Sequence, residues 1–274
     1  MAIDVKFWGV RGSIACPSPD HVVYGGNTSC VEMRIGDHTL IFDAGTGIRN
    51  LGKDLIRRKV TEASIYLTHT HWDHINGFPF FVPAYNPAAR FHVLAGHLKE
   101  QGGVERVFSA QMADPTFPVP LSAMKSKLTF EDFTIGTVLY PADGIAVRTA
   151  PLRHPNGATA YRVEHDGKSV CYVTDTEHMP GQPDEVVLDF IRNADLVIYD
   201  STYTDDEFPA KVGWGHSTWQ EGVRLCQAAN GKRLALFHHD PDHNDAVMAG
   251  IELQARSQWS NVFAARDEMV VVIE

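Results

Sequence analysis

Short apolar or alternating runs, most of them closed by Gly, Asn or Asp, recur along the chain: VKFWGV, SCVEMRIG, HTLIFDAG, SIYLTHT, FHVLAG, IAVRTAP, TAYRVEHDG, KSVCYVTD, DLVIYD, RLALFHH and MVVVIE. Runs of this length, rich in β-branched and aromatic residues and bounded by turn formers, predict strands. Gly36-Asp37 and Asp166-Gly167 each separate two alternating runs and predict hairpin turns. Helical spacing is confined to residues 48–59, 183–193, 217–230 and 246–259, with Gly231 placed where a helix stop belongs. Many strands with interspersed helices predict an α/β fold in which two sheets pack together and helices cover their outer faces. The stretch 102–127, with Met112, Phe117, Pro118 and Pro120, is the least regular and reads either as a lid over a site or as a surface excursion.

Composition refines this picture only slightly. The 274 residues, 44% hydrophobic and 21% charged, suit an ordinary globular protein that forms one domain over 1–274. Charged residues or proline interrupt every hydrophobic run before it could span a bilayer. The first residues lack the basic start and apolar stretch of a secretory signal, so a cytoplasmic location is expected. Cys16, Cys30, Cys171 and Cys226 are scattered with no CxxC pairing and read as small hydrophobes. A net charge of -10, with only the short Arg57-Arg58-Lys59 cluster, argues against a long polyanion as partner.

The chemistry concentrates in Thr68-His69-Thr70-His71-Trp72-Asp73-His74. Residues two apart in an extended chain share a side, so His69 and His71 aim two imidazoles at one point, and Asp73 and His74 follow in the turn. Imidazole nitrogen with carboxylate oxygen suits zinc, manganese or iron. His154, Asp175 and His238 each sit at or just beyond the end of a later apolar run, where a sandwich would bring them to one edge. Asp43 ends IFD in the same way and reads as a turn residue or as a group orienting a ligand through hydrogen bonds.

THTHWDH followed by a His, an Asp and a His resembles the metallo-β-lactamase superfamily over essentially the whole chain. The resemblance implies a four-layer αββα sandwich with two divalent metal ions at one edge, zinc foremost and Mn2+ or Fe2+ as alternatives. It places His69, His71 and His154 on one metal, Asp73, His74 and His238 on the other, and Asp175 between them. His239 competes with His238; LFHHDP lines up with an LTHFSP-like ending in ribonuclease Z relatives, whose first His is the ligand, and so favours His238. Gly215-His216-Ser217-Thr218 resembles the HST-like motif of ribonuclease Z and related phosphodiesterases, and WGVRGSIACPSPDHVVYGGNTSCVEM resembles a bacterial branch described as metal-dependent hydrolases or cyclic-nucleotide-phosphodiesterase-like proteins.

The implied activity is hydrolysis of a small or cyclic-nucleotide phosphodiester. A metal-bridging hydroxide would attack phosphorus between ions about 3.5–4 Å apart, with Asp73 and His216 in the catalytic machinery and His216 stabilising the transition state. Ser217 or Thr218 would cap the following helix. Ribonuclease Z carries an extended arm that grips transfer RNA, and nothing comparable stands here, so structured RNA is expected to be an unlikely partner. Relatives are often dimers, which leaves a homodimer open. Thioester or lactone hydrolysis on the same site is the main alternative, and a non-catalytic metal-binding protein a further one. Redox chemistry at two irons is disfavoured by His71, where flavodiiron relatives place Glu. Of the remaining histidines, His178 is the one to watch, because it follows Asp175 closely.

Overall fold

The computed structural model describes residues 2–274. Fourteen strands form two seven-stranded sheets. The first contains β1 (Ile3–Gly9), β2 (Cys30–Ile35), β3 (His38–Phe42), β4 (Glu62–Leu67), β5 (Arg90–Ala95), β6 (Lys127–Asp132) and β14 (Val270–Ile273), in the order β14-β1-β2-β3-β4-β5-β6. It is antiparallel from β14 to β3 and parallel from β3 to β6. The second contains β7 (Val138–Ala142), β8 (Ile145–Leu152), β9 (Ala158–His165), β10 (Lys168–Val173), β11 (Leu196–Asp200), β12 (Leu234–Phe237) and β13 (Val262–Ala264), in the order β13-β12-β11-β10-β9-β8-β7. There β10 to β13 run parallel and β7 to β10 antiparallel. Both expected hairpins form, β2–β3 across Gly36-Asp37 and β9–β10 across Asp166-Gly167.

Three apolar layers hold the sandwich together. Phe7, Met33, Phe42, Tyr161, Tyr172 and Phe237 fill the space between the sheets. Helices α1 (Ile48–Arg58) and α3 (Val104–Gln111) bury Ile48, Leu51, Leu55, Val104 and Phe108 on the outside of the first sheet. Helices α4 (Glu185–Phe190), α5 (Trp219–Ala228) and α6 (Asp245–Gln258) bury Val187, Val223, Cys226, Met248 and Ile251 on the outside of the second. A short helix α2 (Trp72–Ile75) follows β4. This is the expected αββα arrangement. Cys30, Cys171 and Cys226 are buried free thiols, as expected, while Cys16 is half-buried. Among the described residues no helix is long and apolar enough to cross a membrane.

Two local expectations change. Residues 102–127 are not an irregular excursion: they contain α3, and Met112 and Met124 join the same buried cluster, so the segment belongs to the outer helical layer. The α5 stop is made by Asn230, which adopts φ +55, and the Gly231 amide then donates back to the Cys226 carbonyl at 2.8 Å.

Candidate metal centre

Strand ends build the site. β3 delivers Asp43, β4 leads into 68–74, β8 delivers His154, β10 delivers Asp175, β11 ends on Asp200 and β12 delivers His238. In open α/β sheets the carboxyl ends of strands are where binding sites gather. Asp43, Asp175 and His238 leave their strands with φ near +60. That left-handed region is sparsely populated by side-chain-bearing residues, with Asp, Asn and His the better tolerated. Backbone strain of this kind clusters at functional sites.

The structure brings all seven sequence-predicted metal residues together in two groups. One ligating atom of each of His69, His71 and His154 falls within 4.8 Å of the others, and the same holds for Asp73, His74, Asp175 and His238. His154 Nε2 lies 3.0 Å from His71 Nδ1. Asp175 stands between the groups: its Oδ1 is 3.7 Å from His69 Nε2, 3.8 Å from His154 Nε2 and 3.3 Å from His238 Nε2, and its Oδ2 is 3.1 Å from His74 Nε2. Asp73 Oδ2 is 3.2 Å from His238 Nε2 and 3.4 Å from His74 Nε2, and accepts from the Ser13 amide at 2.7 Å.

The outward nitrogens of His69, His74, His154 and His238 are spoken for. His74 Nδ1 donates to Asp43 Oδ2 at 2.8 Å, and Asp43 also accepts from the Thr68 amide, the Thr68 hydroxyl and Tyr172. His154 Nδ1 donates to the Gly215 carbonyl at 2.8 Å, and His69 Nδ1 lies 3.1 Å from Thr68 Oγ1. His238 Nδ1 lies 3.0 Å from Thr202 Oγ1, which donates to Asp200 Oδ1 at 2.7 Å. Such contacts fix ring orientation and tautomer at metal sites. The inward nitrogen of His69 is buried with no hydrogen-bond partner among the described residues. A buried imidazole nitrogen left unsatisfied is costly unless something accepts its lone pair.

Charge makes the same point. Asp43, Asp73, Asp175 and Asp200 are all buried within this cluster. Burial opposes a charge on His74, yet Asp175, Asp73 and Asp43 outweigh it and pull the imidazole well above its ordinary range. A field that holds a proton this firmly is also one that favours cations, and the donor set, imidazole and carboxylate, fits divalent metals.

His216 joins the centre. Its ring stacks on His238 at 4.8 Å and faces His154 at 5.3 Å. Its Nδ1 is 3.0 Å from Asp200 Oδ2 and 3.8 Å from Asp175 Oδ1. Burial again opposes the charge, but Asp200 first, then Asp175 and Asp73, push this imidazole up to about 9. Asp200 is the residue the sequence reading missed. It ends DLVIYD as Asp175 follows KSVCYV, and that shared pattern was the available signal. One carboxylate thereby orients His216 directly and His238 through Thr202. The capping role falls to Thr218, which accepts from the Glu221 amide at 3.1 Å, while Ser217 bonds to His178 Nδ1 and Tyr199. His178, stacked on Phe208, stays out of the cluster. His239 turns away to the Ala265 carbonyl. Asn27 and Thr28 bind Asp267 and Thr46, so both serve the loop scaffold.

Gly12 closes one wall. A Cβ there would stand 2.3 Å from ring atoms of His238. Gly12→Ala is expected to displace that imidazole, lower bound metal and reduce turnover at least about tenfold while the fold persists, since buried overpacking of this kind costs about 1–3 kcal/mol. Elemental analysis and circular dichroism on the variant check it; wild-type metal content would show that the wall yields.

The two-sheet sandwich carries a His/Asp cluster of metal-ligating composition at its strand ends. Residues 38–239 match the β-lactamase superfamily domain, and the chain belongs to that family. Ribonuclease Z from Thermoplasma volcanium is 24% identical over 310 residues, covering 97% of this chain and 96% of that protein. The metallo-β-lactamase fold protein YhfI from Bacillus subtilis superimposes with a TM-score of 0.75 at 19% identity, covering 99% of each chain. Human tRNase Z, short form, gives 0.68 at 19% identity, covering 98% of each.

These relatives correct one expectation. Structured RNA was set aside on net charge and the missing arm, yet ribonuclease Z and tRNase Z, named for RNA substrates, match nearly the full chain. The physical reason is that the total of -10 counts every carboxylate alike. Asp43, Asp73, Asp175 and Asp200 are buried around a cation site, so they do not face a polyanion as free negative surface.

Proposed function

We infer that the chain is a dinuclear metal-dependent phosphodiesterase. Two divalent cations, of the zinc, manganese or iron group that the mixed imidazole and carboxylate donor set suits, would be held by His69, His71 and His154 and by Asp73, His74 and His238, with Asp175 shared. When bound, they would supply an activated water and neutralise charge on the phosphoryl oxygens. The chain's own contribution is the Asp200–His216 pair, and that pair carries the reading. With Nδ1 committed to Asp200, a protonated His216 carries its second N–H on Nε2. From there it donates to a phosphoryl oxygen or to the departing oxygen, whose charge must otherwise be borne alone. A thioester, whose thiolate departs without needing a proton, has less need of such a donor.

Both a small diester such as a cyclic nucleotide and an RNA backbone offer the phosphodiester. The first comes from the resemblance of the opening segment, and the second from the ribonuclease Z relatives. Turnover of an aryl phosphodiester, a cyclic nucleotide, a structured RNA, a thioester and a lactone by metal-loaded protein separates these classes. Lactone or thioester hydrolysis far exceeding every phosphodiester would overturn the reading. His216→Ala is expected to lower phosphodiester kcat by about 10²–10³ with metal content unchanged, in the range of a lost proton donor. Asp200→Asn should lower it by roughly tenfold, because the ring keeps its place and loses its counter-charge. Wild-type turnover in His216→Ala would remove the pair from the mechanism.

A further inference from the structure

Two solvent-exposed tryptophans stand within two residues of groups in the metal centre. Trp72, 84% exposed, opens α2 between His71 and Asp73, while the three residues after it are buried. Trp214, 60% exposed, stands two residues before His216. An indole left in water gains little for folding and offers a flat apolar face to a ligand.

The loop carrying Trp214 is anchored. The amides of Gly213 and Gly215 on either side of it donate to the Glu177 carboxylate at 2.8 Å, and the Gly215 carbonyl accepts from His154 Nδ1. Gly215 has φ +87, and a Cβ there would stand 2.4 Å from His154 Nδ1. The residue before Trp72 meets the other side of the same imidazole, His71 Nδ1 lying 3.0 Å from His154 Nε2. The two Trp-bearing segments therefore bracket His154. Lys211 adds a cation, its Nζ 4.6 Å from the Trp214 ring and 5.5 Å from that of Tyr203, which meets His216 edge-on at 6.1 Å.

We propose that Trp72 and Trp214 are stacking platforms for the nucleobases on either side of the bound phosphate, with Lys211 taking a neighbouring phosphate, so that the substrate is a nucleotide or nucleic-acid strand. This rests on the phosphodiester reading of the same centre. Flat aromatic faces suit bases of any sequence, and Lys211 at the Trp214 ring supplies a positive charge.

Calorimetry on metal-loaded protein tests it with AMP, ribose 5-phosphate and adenosine. AMP should bind at least about fivefold more tightly than ribose 5-phosphate, the lower end for one stacked base. In the Trp72→Ala/Trp214→Ala double variant that ratio should fall to about one, with metal content and melting temperature held, and Trp214→Phe should retain most of it. Equal binding of AMP and ribose 5-phosphate by wild-type protein, or a preference that survives the double variant, would overturn the proposal, as would a change of oligomeric state as the variant's sole effect. Adenosine, which lacks phosphate, separates this inference from the one beneath it. Trp214-dependent adenosine binding by a protein inert to phosphodiesters sinks the phosphodiesterase reading and leaves the platforms standing. Phosphodiester turnover without base preference does the reverse.

Discussion

Asp175→Asn is expected to lose at least one of two metal equivalents per chain and to lower phosphodiester turnover by at least about 10⁴-fold. Asn keeps the size of Asp and tolerates the left-handed backbone at φ +59, so the variant should fold and its defect should be chemical. The carboxylate faces His69, His154 and His238 through one oxygen and His74 through the other. An amide offers one oxygen and no charge, so neither group keeps its shared anionic ligand, and the loss of metal charge stabilisation is worth several kcal/mol. Elemental analysis beside steady-state kinetics is decisive. Two metals retained, with activity within tenfold of wild type, would mean that Asp175 is not shared between the two groups.

Chelation should have the second largest effect. A metal present at 1,000 times its dissociation constant stabilises the native state by about 4 kcal/mol, and each kcal/mol moves the melting temperature of a chain near this size by about 2–4 °C. Removal should therefore lower melting by about 8–16 °C and abolish turnover, both reversed by adding metal back. In the stripped protein His216 carries part of the positive charge the buried carboxylates demand. Its folded value of about 9 lies above its unfolded value of about 6.5, so that contribution is complete below the lower figure and is lost as pH rises through the upper one. The melting gap between loaded and stripped protein should widen between those values. A gap of under about 2 °C at every pH would show that the cluster balances its charges without metal.

The site was legible where its residues lie close in the chain or end strongly apolar strands. THTHWDH supplies four ligands within one turn, and the runs before His154, Asp175 and His238 are unmistakable strands. Asp200 escaped because a single carboxylate after an apolar run looks like any turn residue; the approach of His216 from the loop before α5, and of Thr202 toward His238, gives it a role. The sheets were legible in their central strands and at the edge strand β14, and obscure at the other three edges. β6 reads KLTFED, with exposed and half-buried positions alternating, β7 contains Pro141, and β13 has three residues, so none offers the hydrophobic contrast of a central strand. Helix α3 was hidden by the glycines before it and the prolines after it. Net charge misled about RNA because a whole-chain sum carries no position.

The backbone at Asp43, Asp175 and His238 bears on how such a chain would age. Each holds a conformation costing about 1–3 kcal/mol that glycine would relieve at once. While the chemistry is needed, the metal centre forbids that relief. In a lineage that no longer uses it, Asp175 and His238 should be among the first to become glycine, giving an inert descendant, while Asp43 stays held by its bonds to Thr68, His74 and Tyr172. The turns would then record in sequence the date at which the enzyme retired.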